Sequence, residues 1–228
     1  MAIRMTIRTM LARDMGFPSD KKKNGVVKER AFARSRGPVY SPAGMPQSPP
    51  PHRSASPASP LLRPLVLVGL MGVGKSTVGR RLAARLHLPF VDADREIEAA
   101  AGLSIPDIFD RFGEEGFRDG ERRVIARLID GTPKVIATGG GAFMNDQTRA
   151  LILDRATAIW LDADIDVLVD RVRRRNDRPL LHDRDPRAVL TDLAARRNPI
   201  YALAPIHIRS EPLPHDATVD VILKALRT

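Results

Sequence analysis

The most constraining feature of the sequence is an apolar run that leads directly into a glycine-rich phosphate-binding pattern. Leu65 to Val68 is entirely apolar, and the following octapeptide, from Gly69 to Ser76, fits the pattern G-x-x-x-x-G-K-S/T. Lys75 to His87 then places its apolar side chains on one face of a helix. A strand, a glycine loop and a helix in this order predict a P-loop that binds a nucleoside triphosphate. A glycine-rich turn without a ligand is the alternative interpretation.

Each residue type in this loop has a chemical reason to be there. Glycines let the backbone curl so that successive N–H groups face phosphate oxygens, and the helix adds its positive N-terminal end. Lys75 is predicted to reach the β- and γ-phosphates, and the Ser76 hydroxyl is predicted to ligate magnesium. The predicted ATP-binding residues of the loop are Gly72, Val73, Gly74, Lys75, Ser76 and Thr77.

Short apolar runs alternate with helix-period segments after residue 62, which is typical of a parallel sheet covered by helices. Five strands are predicted, at Leu65 to Val68, Pro89 to Val91, Lys134 to Ala137, Ala158 to Leu161 and Ile206 to Ile208. Helices are predicted at Lys75 to His87, from near Arg95, and at Asp107 to Phe112, Glu114 to Asp130, Thr148 to Leu153, Ile165 to Arg174, Arg187 to Arg197 and Ala217 to Leu226. The pattern therefore predicts an α/β fold.

The positive charge of the chain is concentrated in its N-terminal part. The net charge is +10, but residues 1–63 hold 12 Lys/Arg against 3 Asp/Glu, whereas residues 64–228 hold 25 against 24. Pro38 to Pro60 contains 8 prolines and 5 serines. This stretch therefore has too few apolar side chains to offset the entropy lost when the chain becomes ordered. We therefore expect residues 1–62 to be a disordered basic extension and residues 63–228 to be the folded domain.

Composition also bears on where the protein acts. The chain has no cysteine, which excludes disulfides and thiolate metal sites and suits a reducing compartment. The longest apolar run, Leu65 to Val73, is far shorter than the roughly 20 residues needed to cross a bilayer. We expect a cytoplasmic protein that does not enter a membrane.

Two carboxylates follow the second predicted strand. Asp92 and Asp94 would lie at the carboxyl edge of the sheet, beside the phosphate loop, and strand alternation would point them the same way. One could hold water around magnesium while the other accepts a hydrogen bond from a substrate hydroxyl. The alternative is an aspartate that caps the next helix.

Further charged and glycine-rich motifs occur downstream. Arg118 precedes Glu121 by one helical turn, which could be an exposed salt bridge or part of a site. The glycines of Thr138 to Gly141 follow a strand and would let a ligand approach the backbone closely, unless they form only a tight turn. The basic stretch Arg171 to Leu181 is either a solvated charge run or a lid over the phosphates, and Arg197 could merely cap its helix.

These motifs, in this order, resemble the shikimate kinase family over essentially all of residues 64–228. The resemblance rests on the P-loop with Ser76-Thr77, Asp92-x-Asp94, Gly102-x-Ser104-Ile105-x-x-Ile108-Phe109, Phe117-Arg118-x-x-Glu121, Thr138-Gly139-Gly140-Gly141, Arg178-Pro179-Leu180-Leu181 and Arg197-x-Pro199-x-Tyr201. It implies a three-layer α/β/α doubly wound parallel sheet of about five strands, like that of nucleoside monophosphate kinases.

The resemblance also implies a role for each matching residue at the acceptor side. The residues implied to bind shikimate are Asp94, Arg118, Gly139, Gly140, Gly141 and Arg197, with Phe109 and Phe117 walling its ring and Glu121 holding the arginines in place. Paired arginines suit a carboxylate because their planar forks donate two charge-assisted hydrogen bonds. The resemblance leaves Asp94 to orient a hydroxyl.

On the nucleotide side, the resemblance implies that Arg171 lies near the adenine and that Arg178 reaches the phosphates from a lid. Lys75, Asp94 and Arg178 are the expected catalytic residues, and Ser76 and Asp92 the expected magnesium ligands. Asp92 is needed because no apolar run ending in aspartate supplies a Walker B carboxylate in the usual place. The stretch Ser210 to Pro214 matches no adenine-contacting pattern.

The implied activity is transfer of the γ-phosphoryl group of ATP to the 3-hydroxyl of shikimate, with magnesium as cofactor, in the biosynthesis of aromatic amino acids through chorismate. Shikimate and ATP are the expected partners of a monomer. One alternative is another small P-loop kinase, acting on gluconate or a nucleotide. The other is a nucleic-acid-binding nucleotide switch that uses the basic extension, although the near-neutral charge of residues 64–228 argues against it.

Overall fold

Five parallel strands form the centre of the structure, a computed structural model that describes residues 62–173, 185–209 and 215–227. The strands are β1 Leu65–Val68, β2 Phe90–Asp92, β3 Val135–Ala137, β4 Thr157–Asp162 and β5 Ile206–Arg209. Their order across the sheet is β2-β3-β1-β4-β5. The predicted strand number and parallel arrangement are confirmed.

The central position of β1 explains its continuous apolar sequence. β1 pairs with β3 on one side, where Leu67 is opposite Ala137, and with β4 on the other, where Val68 is opposite Trp160. All four residues of β1 are fully buried. A strand covered on both faces has no solvent side and so shows no polar alternation.

Seven α-helices flank the sheet in the described residues. They are α1 Lys75–Leu86, α2 Ala93–Ala101, α3 Ile105–Leu128, α4 Asp146–Arg155, α5 Ile165–Arg173, α6 Pro186–Tyr201 and α7 His215–Ala225. Since each strand is parallel to its neighbours, all five carboxyl ends meet at one edge of the sheet. The loops that follow β1, β2 and β3 therefore lie side by side at that edge.

The helix pair predicted on either side of residue 113 appears as one element with a break. Gly113 has φ 69° and ψ −176° inside α3, a conformation essentially restricted to glycine. The first part begins at a cap in which the Ser104 hydroxyl accepts a hydrogen bond from Asp107 N at 3.3 Å. The break lets the second part, which carries Arg118 and Glu121, take its own direction.

The expectation that Asp92 and Asp94 alternate along one strand is wrong. β2 ends at Asp92 and α2 begins at Ala93 rather than near Arg95, so Asp94 lies in the first turn of a helix. The two carboxylates therefore face different partners. Asp92 occupies the N-cap position, but its side chain makes no capping hydrogen bond.

Several predictions fall outside the described residues. They concern residues 1–61 of the extension, Arg178 and most of the basic stretch before α6, and Ser210 to Pro214. Over the three described ranges, no helix is long and apolar enough to span a bilayer.

Candidate active site

The phosphate loop has the backbone geometry that its glycines predict. Gly69, Gly72 and Gly74 all have positive φ, at 136°, 81° and 100°. A methyl group on Gly69 would lie 2.2 Å from the carbonyl oxygen of Leu161, so both the conformation and the packing at this position require glycine. The loop ends at the first turn of α1, where Thr77 N donates to Gly74 O at 3.0 Å.

The two side chains that open α1 are both held by specific contacts. Lys75 Nζ donates to Gly69 O at 2.8 Å and to Leu70 O at 2.9 Å, which keeps the ammonium folded over the loop. Ser76 Oγ donates to Asp92 Oδ2 at 2.7 Å. The two residues predicted to be magnesium ligands therefore contact each other beside the phosphate loop, although they are 16 residues apart in the sequence.

Arg171 closes the loop from the side of α5. Its Nη1 donates to the carbonyl oxygen of Val73 at 3.1 Å. Burial lowers the pKa of the Arg171 guanidinium from its usual value, which is the expected direction when a cation loses water. Val73 itself is buried.

On the acceptor side, Arg118 and Glu121 form an ion pair in α3 rather than an exposed salt bridge. Arg118 Nη1 lies 2.7 Å from Glu121 Oε2, and the side chains are 27% and 3% exposed. Burial raises the pKa of the Glu121 carboxyl, and the charges of Arg118 and Arg197 oppose that shift. A carboxylate this buried is stable in its charged form only because guanidinium groups surround it.

Two aromatic rings lie beside this ion pair. Phe109 and Phe117 stack with centroids 4.5 Å apart, and the Arg118 guanidinium sits 5.1 Å from the centroid of Phe117. Phe117 is buried and Phe109 half-buried. The predicted pair of wall residues is therefore assembled next to Arg118.

The three glycines after β3 approach three different parts of the site. A methyl group on Gly139 would lie 2.8 Å from Asp94 Oδ1 and 3.2 Å from Glu121 Oε1. One on Gly141 would lie 2.5 Å from Arg118 Nη1. The loop thus packs against the Asp94 carboxylate at one end and the Arg118 guanidinium at the other, so a side chain on Gly139 or Gly141 would displace one of these groups.

The middle glycine joins the acceptor side to the phosphate loop. Arg197 Nη1 donates to Gly140 O at 3.2 Å. A methyl group on Gly140 would lie 3.6 Å from both Gly69 O and Met71 N. Arg197 lies inside α6, which continues to Tyr201, so the alternative that it merely caps the helix is wrong. Two arginines therefore flank a glycine loop that touches the phosphate cradle.

The chain resembles known proteins over most of its length. The family model for shikimate kinase matches residues 71–227. The chain belongs to the shikimate kinase family. Shikimate kinase from Bradyrhizobium diazoefficiens is 59% identical over 178 residues, 76% of this chain and 86% of the relative. The enzyme from Zymomonas mobilis is 56% identical over 171 residues, 75% of this chain and 97% of the relative.

A solved relative agrees in fold. The structure of shikimate kinase from Acinetobacter baumannii in complex with shikimate matches with a TM-score of 0.70 and 36% identity, covering 74% of this chain and 94% of that one. Membership of the shikimate kinase family makes the chain a phosphotransferase. It also disfavours the alternatives of a gluconate or nucleotide kinase and of a nucleic-acid-binding switch.

The structure adds two residues that sequence reasoning did not select for this shikimate kinase site. Tyr201 donates a hydrogen bond to Gly140 O, and its ring is fully buried. Tyr201 belongs to the motif Arg197-x-Pro199-x-Tyr201, but an aromatic residue on a helix usually packs in the core. Its contact with Gly140 is what separates it from an ordinary core residue.

His215, at the start of α7, is the second. Its Cε1 lies 3.4 Å from the position of a methyl group on Gly74. Its Nδ1 is buried and has no hydrogen-bond partner among the described residues. Burial, followed by the charges of Arg171 and Arg81, lowers its pKa. No sequence signal marked it, because the preceding residues matched no pattern.

The donor set beside the phosphate loop fits the magnesium ion that the shikimate kinase family implies. A hydroxyl and a carboxylate, Ser76 Oγ and Asp92 Oδ2, converge where the loop opens, and oxygen is the ligand that magnesium prefers. Within the described ranges no three His, Cys, Asp or Glu residues cluster as a protein-only metal site.

Proposed function

We propose that this enzyme transfers the γ-phosphoryl group of ATP to the 3-hydroxyl of shikimate, giving shikimate 3-phosphate and ADP for chorismate and aromatic amino acid biosynthesis. The observation that carries the proposal is the glycine loop after β3. It packs against Arg118 and Asp94, accepts a hydrogen bond from Arg197, and lies against the phosphate loop. A carboxylate clamp formed by Arg118 and Arg197, a hydrogen-bond acceptor for a substrate hydroxyl at Asp94, and the phosphate loop are thereby adjacent.

The acceptor is held by complementary charge. Arg118 and Arg197 take its carboxylate in forked hydrogen bonds, and Glu121 orients Arg118 through their 2.7 Å contact. The backbone of Gly139, Gly140 and Gly141 lies along the acceptor, while Phe109 and Phe117 pack against its ring. This fixed orientation brings one hydroxyl, rather than any of three, toward the triphosphate.

The nucleotide is held by the phosphate loop. Backbone N–H groups from Gly72 to Thr77 bind its phosphates, and Lys75 leaves the Gly69 and Leu70 carbonyls to neutralise charge on the β- and γ-phosphates. Arg171 binds on the side of Val73, toward the adenine. Arg178, which lies outside the described residues, is proposed to reach the transferring group from a lid.

In the chemical step, the 3-hydroxyl oxygen bonds to the γ-phosphorus while the bond from that phosphorus to the β–γ bridging oxygen breaks and leaves ADP. Asp94 orients the hydroxyl and accepts its proton. Ser76 and Asp92 would hold magnesium, which when bound neutralises charge on the β- and γ-phosphate oxygens. Since little covalent chemistry falls to the protein, positioning and charge supply most of the rate.

A substrate panel tests this function. ADP formation is measured with shikimate, gluconate and nucleoside monophosphates as acceptors, and the product is identified by 31P NMR. We expect turnover with shikimate alone, product phosphorylated at the 3-hydroxyl, and loss of turnover in Lys75→Ala without a change in melting temperature. Faster turnover with gluconate or a nucleotide would refute the assignment.

A cytoplasmic location, a monomeric state and the absence of specific nucleic-acid binding are parts of the same proposal. The lack of cysteine supports a reducing location, and the near-neutral charge of residues 64–228 supports the absence of specific nucleic-acid binding. Light scattering coupled to gel filtration measures the mass directly. A mass of two chains at micromolar concentration would contradict the monomer.

A further inference from the structure

Tyr201 contacts the same carbonyl of the glycine loop after β3 as Arg197 does. It is the last residue of α6, one helical turn after Arg197, so the two side chains lie on the same face. Its hydroxyl donates to Gly140 O, the carbonyl that also accepts from Arg197 Nη1 at 3.2 Å. A carbonyl oxygen has two lone pairs, so both hydrogen bonds can form together.

The Tyr201 ring is held rigidly enough to define where its hydroxyl points. It is fully buried and stacks against Phe143, with centroids 6.4 Å apart, and against Trp160, with centroids 6.1 Å apart. These neighbours belong to different elements, the turn after β3 and the strand β4. The hydroxyl is therefore placed by the core of the domain.

The electrostatic surroundings keep that hydroxyl a donor. Burial raises the pKa of Tyr201 to about 12, although the charge of Arg197 and a hydrogen bond from it oppose the shift. The phenol therefore carries its proton across the working pH range. Tyr201 acts as a fixed hydrogen-bond donor to Gly140 and not as a base.

We propose that Tyr201 is a positioning residue for acceptor binding: its hydroxyl fixes the Gly140 carbonyl and the Arg197 guanidinium in one arrangement. Without the hydroxyl, the Gly140 carbonyl loses one of the two side-chain donors that it has among the described residues, and the Arg197 guanidinium no longer faces the acceptor in a single orientation. This inference rests on the proposed function. It predicts a defect in acceptor binding that does not extend to ATP.

Tyr201→Phe tests the inference because it removes the hydroxyl and keeps the ring. We expect the KM for shikimate to rise about three- to tenfold, the range for loss of one buried hydrogen bond. The KM for ATP should stay close to wild type, and the melting temperature should fall by no more than about 2–4 °C, the shift that roughly 1 kcal/mol causes in a domain of this size. The chain has only one other tyrosine, so Tyr40→Phe is the matched control and should leave both KM values unchanged.

A double-mutant cycle separates positioning from a merely structural role. If Tyr201 acts through Arg197, then Tyr201→Phe should add little to the rise in shikimate KM caused by Arg197→Lys. Full additivity, an equal rise in the KM for ATP, or a lower melting temperature with unchanged KM values would each overturn the inference.

A measurement on the intact phenol covers the case in which Tyr201→Phe does not fold. In the Tyr40→Phe background, 3-fluorotyrosine labels position 201 alone, because the chain has two tyrosines. The 19F resonance should shift on addition of shikimate and stay in place on addition of ATP. No shift with shikimate overturns the positioning role when the labelled enzyme turns shikimate over. If no preparation turns shikimate over, the proposed function fails and the inference fails with it.

Discussion

At the scale of single residues, the orientation of Arg118 depends on which of its two carboxylate partners is buried. Arg118 meets Glu121 at 2.7 Å and Glu114 at 3.4 Å, and Glu121 is almost completely buried while Glu114 is exposed. The strong contact is therefore the one inside the protein, where water does not screen it. This pair decides where the Arg118 guanidinium can present its remaining N–H groups.

The first prediction concerns the planar, forked guanidinium of Arg118. Arg118→Lys keeps the charge but loses bidentate geometry, so shikimate binding should weaken by about 1.5–3 kcal/mol while ATP affinity changes little. Isothermal titration with each substrate measures both. Arg122→Lys is the matched control, because Arg122 lies in the same helix and pairs with the partly exposed Asp119 at 2.6 Å. If the Arg118 variant loses ATP affinity equally, the carboxylate clamp is misplaced.

The second prediction concerns the pH dependence of Glu121. Burial raises its pKa above the unfolded value of 4.5, so the native state holds the proton more tightly. The stability that this adds is complete below the unfolded value and is lost as pH rises through the native one. The free energy of unfolding of wild type minus that of Glu121→Gln should therefore fall with rising pH, by about 1.4 kcal/mol per unit of pKa difference.

Urea unfolding of both proteins at intervals from pH 4 upward measures that difference. Subtracting the Gln variant removes the contributions of the other carboxylates. A difference that grows with pH would mean that the arginines lower the pKa of Glu121 below its unfolded value. In that case the ion pair, and not burial, would dominate at this position.

At the scale of elements, the sheet brings the three loops together. β2 pairs with β3 so that Asp92 is opposite Ala137, and β3 pairs with β1 so that Ala137 is also opposite Leu67. The carboxylate after β2, the glycines after β3 and the phosphate loop after β1 therefore leave the sheet next to one another. Strand order, which no local pattern encodes, creates the site.

The sequence predicted the elements better than their mutual contacts. Apolar runs located all five strands, and Gly113 marked the break in α3, because these signals are local. The starting point of α2 was missed, since nothing in Asp92 to Asp94 says whether the chain is extended or helical there. Tyr201 was not selected because its contact with Gly140 spans 61 residues. Long-range contacts of this kind leave no periodic trace.

The third prediction tests the close approach in the loop after β3. Gly141 has an ordinary φ of −96°, but a methyl group there would meet Arg118 Nη1 at 2.5 Å and Nη2 at 2.6 Å. The guanidinium is the end of a flexible side chain and can move aside. Gly141→Ala should therefore raise the KM for shikimate about tenfold or more, as expected for a displaced charged donor, and it should also lower the melting temperature because Arg118 Nη1 pairs with the buried Glu121.

The matched control separates the effect on the KM for shikimate from the effect on stability. Gly131 has a φ of 88°, and a methyl group there would meet no atom of the described residues within 4 Å. Gly131→Ala should cost about 1 kcal/mol of stability through backbone strain, with unchanged KM values. Equal effects of the two variants on KM would show that Gly141 does not act through Arg118.

At the scale of the whole molecule, the chain divides by charge and by similarity. The family model begins at residue 71 and the first strand at Leu65. Most of the net charge of +10 precedes both, in residues 1–63. The folded domain is thus expected to carry the catalytic function alone, and the extension to act only through its charge.

The last prediction tests that division by deletion. Removal of residues 1–62 should leave kcat and both KM values within about twofold and the melting temperature within about 2 °C, since roughly 1 kcal/mol shifts a domain of this size by 2–4 °C. Removal of residues 1–68 is the matched control and should abolish folding, because β1 is fully buried between β3 and β4.

Full-length protein should also bind duplex DNA weakly and lose that binding between 50 and 200 mM salt, roughly the range in which phosphate contacts are screened. The variant that lacks residues 1–62 should show no such binding. A melting temperature several degrees lower in that variant would mean that the extension packs on the domain, and binding retained by it would move the basic surface into residues 63–228.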